Sequence, residues 1–437
     1  FQIASAQRIK FETNSWSNTL LKAKKEKKLV VLNICTPWSE PCKEMNAVFA
    51  NDTVGNFFNA TFVNTNIDAE SEEGKKLTLE YGIAIYPTTL FINPNDKKVV
   101  YHELGEATSA KYLQRGKTAI DIHQEKVTYT TLYDKFSKGN HEKSFLDTLL
   151  LKSKYYNQNN DEILNVYVEK FLKNDPTSEE IEKLIDNIKT LDNIGVVYIY
   201  NLSRATKDPQ FINDINNWIA DLFTGTYIKA VNTKNIALIN LIKDFAVKTN
   251  NQQAHPIFYY YQQRYYNAVQ NEALYLESVQ NEMHYYTDKS NATFQQEDSI
   301  ALNDIKKEYQ IQLKAYGMSA TEMNTYIDQN IQGNPQAISS ISYMAADQIN
   351  NSLELIFSDK VKYKNLLPHT IKWGEKMMDL MKQYDGYSAF LSINYAKALL
   401  QNGQTQEAKT ILAGALKKAS DNDQLYKEIK VQYDLIK

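Results

Sequence analysis

Cysteine is nearly absent. Two residues in 437, Cys35 and Cys42, exclude a disulfide framework and place any thiol chemistry in one stretch. Histidine is also scarce: the six, at 102, 123, 141, 255, 284 and 369, are scattered without metal-ligand spacing, so no metal site is expected. The chain has no glycine-rich phosphate loop and no Gly-x-Ser-x-Gly turn, and no cofactor is expected. No apolar run approaches the roughly 18 residues needed for a bilayer span. A formal net charge of −3, with both signs interspersed, provides no basic field for nucleic acid.

What is present is the composition of a folded chain: 43% hydrophobic and 23% charged residues, with 30 tyrosines supplying much of the aromatic content. The length suggests two or three domains, each able to bury its own core. Ala4-Ser5-Ala6 has the small-x-small form of a signal-peptidase site. Phe1 to Ala6 reads as the tail of a trimmed export signal and Gln7 as the mature start, which makes the expected location periplasmic or otherwise exported. An arbitrary chain boundary is the alternative.

Chemistry concentrates in Cys35-Thr36-Pro37-Trp38-Ser39-Glu40-Pro41-Cys42-Lys43. Before it, Lys28 to Ile34 is a β-rich apolar run of the kind that forms a buried strand; after it, Lys43 to Ala50 carries helical apolar spacing. Ser39 suits a helix N-cap, with Glu40 and Pro41 in the first turn. A strand ending in Trp-x-x-Pro-Cys-Lys and opening a helix resembles the active-site turn of the thioredoxin family. That family carries a second cysteine directly after the tryptophan, and here the position is Ser39. Dithiol exchange needs an attacking thiolate at an exposed helix N-terminus and a second thiol to resolve the mixed disulfide. A serine hydroxyl is a far weaker acid and forms no disulfide.

The order of elements extends the resemblance. A helix from Trp16 to Lys25 precedes the strand Lys28 to Cys35. Next come a short helix Thr53 to Phe58 capped by Asp52 or Thr53, a strand Thr61 to Ile67, and a helix Ser71 to Tyr81 stopping at Gly82. Strands Thr89 to Asn93 and Lys98 to Leu104 form a hairpin around Pro94-Asn95-Asp96, and Gly105 leads to a helix from Thr108. Lys43-Glu44-Met45 and Val48-Phe49 resemble the exported members of the family. The resemblance implies a cis-proline at Tyr86-Pro87, in the place where the family pairs with an extended substrate peptide. It also puts Asn33 where the family often has a buried acid, and an asparagine cannot take the proton of a resolving thiol.

Beyond about Ile120 the pattern becomes helical, in blocks Leu132–Ser137, Glu142–Tyr156, Glu162–Leu172, Glu179–Ile188, Phe211–Phe223 and Ile236–Val247. Further blocks are Ile257–His284, Ile300–Tyr316, Ile338–Ile356, Leu366–Met381, Ala389–Gln401 and Thr405–Lys418. Asn174-Asp175-Pro176, Asp208-Pro209 and Gly333-Asn334-Pro335 punctuate them. Tyr395-Ala396, Leu399, Gly403, Glu407-Ala408, Leu412 and Ala415 place small residues at a helix crossing and look like one tetratricopeptide repeat. Phe136 to Asn140, with Phe145 and Leu146, is a weaker echo. The tyrosines at 259–261 and 265–266 read as helix-hairpin packing rather than a ligand surface.

The expectation is therefore an α/β thioredoxin fold followed by an all-α helical-repeat (tetratricopeptide-like) domain. Residues 1–9 would be a signal remnant and arm, 10–122 the thioredoxin-like domain, and 123–437 the helical domain. Trp38, Ser39, Glu40, Pro41, Cys42 and Lys43 form the degenerate turn; Tyr86 and Pro87 inherit substrate binding by resemblance. Cys42 is either a working monothiol or a buried leftover, and Cys35 either a free buried thiol or its disulfide partner. The leading function is binding of a protein or extended peptide, or a chaperone-like role, with at most monothiol redox activity. One alternative is an active thiol-disulfide oxidoreductase in which serine, near-isosteric with cysteine, has replaced the nucleophile at position 39. A second is a structural helical-repeat scaffold.

Overall fold

Val30–Cys35 form β1, the strand on which the N-terminal domain is built. In this computed structural model the described residues are 8–125, 128–156, 160–172, 176–249, 253–330, 340–419 and 423–436. Phe1 to Gln7, with the small-x-small motif, lies outside them, as do Asn174-Asp175 and Gly333-Asn334-Pro335. Two compact units divide the chain, Phe1–Thr249 and Asn250–Lys437.

The first unit opens with α1 (Trp16–Glu26), β1, α2 (Glu40–Phe49), α3 (Asp52–Thr61), β2 (Val63–Asp68) and α4 (Glu72–Glu80). The hairpin β3 (Thr88–Ile92) and β4 (Val99–Leu104) and the helix α5 (Ser109–Gln124) follow. The sheet order is β2-β1-β3-β4, with β1 parallel to β2 and the other pairs antiparallel. Alternation along β1 separates two cores. Val30, Leu32 and Ile34 join Trp16, Leu20 and Leu77 on one face, whereas Val31 joins Met45, Phe49, Phe58 and Tyr112 on the other. Because β1 is central and covered on both faces, its run is almost continuously apolar. Ile9 is buried in the second of these cores, and Phe11 bridges Asn64 at the β2 edge.

Local signals place most boundaries. Ser71 caps α4 by accepting from Gly74 N–H, and Thr108 caps α5 by accepting from Lys111 N–H. The cap of α3 is Asn51, not Asp52 or Thr53: its side chain accepts from Thr53 and Val54 N–H, so the helix begins one residue earlier than expected. Gly105 sits at φ +74, where a Cβ would be strained, and its N–H donates to Pro87 O at 2.8 Å.

The rest of the unit is helical: α6 (Tyr129–Ser137), α7 (Lys143–Tyr155), α8 (Asp161–Phe171), α9 (Ser178–Asn187), α10 (Ile194–Thr206), α11 (Pro209–Thr233) and α12 (Ala237–Thr249). Two expectations are corrected. Ile194 to Thr206, outside every expected block, is a helix capped by Asn193. Asp208-Pro209 opens a 25-residue helix that runs past Phe223, with Asp208 accepting from Gln210 N–H and Pro209 in the first turn, where its missing N–H costs nothing.

The second unit contains α13 (Ala254–Ala268), α14 (Glu272–Asp288), α15 (Asn291–Ala315), α16 (Ala320–Asn330) and α17 (Ile341–Ser358). It ends with α18 (Thr370–Met381), α19 (Asp385–Gln401), α20 (Thr405–Lys418) and α21 (Asp423–Asp434). The expected single block Ile257–His284 is two helices. Gln270 takes φ +58 and the Asn271 side chain accepts from Leu274 N–H, which turns the chain without glycine or proline. Helices α16 and α21 also lay outside the expected blocks. At the α19–α20 crossing Tyr395, Ala396, Leu399, Ala408, Leu412 and Ala415 are all buried, and Gly403 supplies the turn at φ +78. Among the described residues there is one four-stranded sheet and 21 α-helices, so the architecture is an N-terminal thioredoxin-like α/β domain followed by a largely helical region. No helix among the described residues is long and apolar enough to cross a membrane.

Candidate functional site

The turn between β1 and α2 follows from its backbone bonds. Ser39 N–H reaches Thr36 O at 3.3 Å, and Lys43 N–H reaches Ser39 O at 3.1 Å. Ser39 occupies the N-cap position, but its hydroxyl makes no capping bond, contrary to the sequence expectation. The reason is partly covalent: a cap side chain accepts from the second or third helical N–H, and the second residue here is Pro41, which has none. The Ser39 side chain is buried.

Cys42, in the first turn of α2, is 6% exposed. Cys35 is half-buried, and both cysteines are free thiols. They are also neighbours, because both line one cavity. Burial pushes the Cys35 thiol well above its ordinary pKa, and the neighbouring Cys42 acts in the same direction; the hydrogen bond from Asn33 opposes them. This cavity, of about 250 Å³, is shared with Thr36, Lys43, Asn46 and Asp68.

Asn33 is fully buried beneath this turn. Its Nδ2 donates to Asn66 Oδ1 at 2.7 Å and to Cys35 Sγ at 3.6 Å, and its Oδ1 accepts from Thr89 Oγ1 at 3.3 Å. An amide both donates and accepts, so Asn33 satisfies its neighbours on β2 and β3 where a carboxylate could only accept. Sequence reasoning identified Asn33 but missed Asn66 and Thr89. Their only signal is that each lies in the strand register opposite Asn33.

The other residues of the turn lie on the surface. Trp38 is 65% exposed, held by its Nε1 donating to Glu70 Oε1 at 2.9 Å. Glu40 and Lys43 form an exposed ion pair at 2.5 Å, a geometry that contributes little in water. Tyr86-Pro87 is a cis peptide, and Thr88 pairs with Ile34 on one side and Leu104 on the other. This register puts Pro87 at the same end of the sheet as Cys35. Ile85 and Leu104, flanking the cis bond in sequence and register, are about half exposed (49% and 46%).

Elsewhere, the fold brings His284 and His369 to a ring separation of 6.1 Å, a pairing invisible in their spacing. Among the described residues, no group of three or more metal-ligand side chains converges. Of the tyrosines in α13, Tyr265 is buried and Tyr260 exposed.

Comparison with protein families matches residues 7–115 to Thioredoxin. Among solved structures, the solution structure of a disulphide-isomerase candidate from Bacteroides thetaiotaomicron is 36% identical; the match covers 27% of this chain and 97% of that one, with a TM-score of 0.25. A DsbH oxidoreductase is 19% identical over 28% of this chain and 90% of its own, again with a TM-score of 0.25. No curated protein matches the chain. Residues 7–115 therefore form a thioredoxin-family domain.

Proposed function

We propose that this protein binds extended polypeptide segments at the sheet end that carries the cis Tyr86-Pro87 bond, and that it does not perform the dithiol exchange of its family. The observation that carries this reading is the contrast between Ser39 and its surroundings. A buried hydroxyl stands in place of the attacking thiol, while Trp38, Ile85 and Leu104 remain exposed around the cis-proline end. An extended peptide laid against a sheet end gains main-chain hydrogen bonds, and exposed apolar side chains beside it supply burial. The helical region offers a second binding surface if its hairpins stack as tetratricopeptide-like repeats, and an exported location belongs to the same proposal, checked by cell fractionation.

The test is binding of a reduced, unfolded polypeptide to the full chain under reducing conditions. Trp38→Ala combined with Leu104→Asp should weaken it at least about tenfold, the loss of roughly 1.4 kcal/mol or more of apolar contact. Unchanged binding by a folded double variant sinks the peptide-edge reading. Catalytic reduction of a protein disulfide by the chain as it stands would sink the other half. Ser39→Cys, by contrast, should gain that activity.

A further inference from the structure

Val31, Asn33 and Cys35 alternate onto the face of β1 that α2 covers, since side chains along a strand change face at every residue. Cys42 is buried on α2, in the turn nearest the end of β1. The strand-turn-helix therefore brings both cysteines to one cavity from its two arms. The same small cavity that they border also includes Thr36, whose hydroxyl is buried without a hydrogen-bond partner. A polar orphan in a cavity lined by two thiols is a place where a small polar molecule can meet sulfur.

We propose that Cys35 and Cys42 form a redox-active pair that exchanges with low-molecular-weight disulfides, replacing the pair lost at Ser39. The step balances as ordinary exchange. Cys42, as thiolate, attacks one sulfur of R–S–S–R; the Cys42–S–S–R bond forms, the S–S bond of the small disulfide breaks, and RS⁻ leaves. Cys35 then gives up its proton and attacks Cys42 Sγ, which forms the Cys35–Cys42 disulfide and expels the second RS⁻. Two protein thiols are oxidised and one small disulfide is reduced. Cys35 takes the resolving role, since burial keeps its proton on until the mixed disulfide has formed beside it. The cavity, about 250 Å³, is of a size that suits a small disulfide.

Both cysteines fall in one tryptic peptide, Leu29 to Lys43, so mass spectrometry reads the pair directly. The reduced full chain, treated with excess 2-hydroxyethyl disulfide and then N-ethylmaleimide, should lose both adducts and yield that peptide lacking two hydrogens. Cys35→Ser should stop at a mixed disulfide on Cys42, and Cys42→Ser should take up none. Retention of both adducts in the unsubstituted chain overturns the proposal, and that result depends on no variant folding. A lasting mixed disulfide on the unsubstituted chain, or one on Cys35 in Cys42→Ser, overturns it as well. Peptide binding is measured on the reduced protein with Trp38 and Leu104 variants, so failure of either idea leaves the other standing.

Discussion

Each unit of this protein shields reactive groups from water, but it closes their surroundings differently. In the thioredoxin-family domain Cys35 and Cys42 border a cavity beside an unpartnered Thr36 hydroxyl. In the second unit Glu282, buried on α14, is held by two donors: Gln263 Nε2 reaches its Oε2 at 2.7 Å and Gln348 Nε2 reaches the same oxygen at 3.5 Å. Asn394 and Asn350 are likewise paired within the helical core at 2.9 Å. A buried polar group whose bonding capacity is filled reads as a fastener between helices. One with capacity left over and space beside it reads as a site. Burial by itself separates neither.

The largest test of this contrast removes packing from the second unit. Trp373 is fully buried among Met377, Leu399 and Ile349. Trp373→Ala should destabilise that unit by about 3–5 kcal/mol. Hydrogen exchange should report the loss in α17 to α19, and unchanged protection there would mean that the helical core does not depend on this residue.

Glu282 supplies the next effect. Burial pushes its carboxyl up from 4.5 to about 7, against the opposing hydrogen bonds from Gln263 and Gln348. The folded state therefore holds this proton more tightly than the unfolded chain. Its stabilisation is complete below pH 4.5 and is lost as pH rises through about 7, on the order of 3 kcal/mol in all. Denaturant titrations of the parent and Glu282→Gln across this window should converge at low pH and separate above it. Parallel curves would show that the carboxyl is not the fastener described.

A smaller change sharpens the view of the other domain. Asn33→Ala strips partners from Asn66 and Thr89 and should cost about 1–3 kcal/mol. The same substitution removes the amide opposing the upward shift of Cys35, so alkylation of that thiol should slow. The smallest effect is expected at Lys43→Ala, which breaks only the exposed pair with Glu40; stability should stay within about 0.5 kcal/mol in a thermal melt. A larger loss there would mean that the turn depends on its surface charges.

Much of the N-terminal domain was readable because its signals are local. The apolar run of β1, Pro41 at the start of α2, Ser71 before α4 and the Pro-Asn-Asp hairpin turn each act within a few residues. The helical region was less readable for the same reason in reverse. The turn at Gln270 carries neither glycine nor proline, so α13 and α14 merged into one apparent block. Asp208-Pro209, read as a break, is the start of a helix, since proline interrupts a helix interior but suits its first turn.

The sequence by itself determined the chemistry available: a serine after Trp38, two thiols in one stretch, and an amide at position 33, because side-chain identity is covalent. Tertiary structure alone decided what those groups do together. Which face of β1 meets α2 depends on packing against α2, α3 and α5, and that choice turns Cys35 toward Cys42. The bonds from Asn33 to Asn66 and from Thr89 to Asn33 span 33 and 56 residues, distances that only sheet pairing can close.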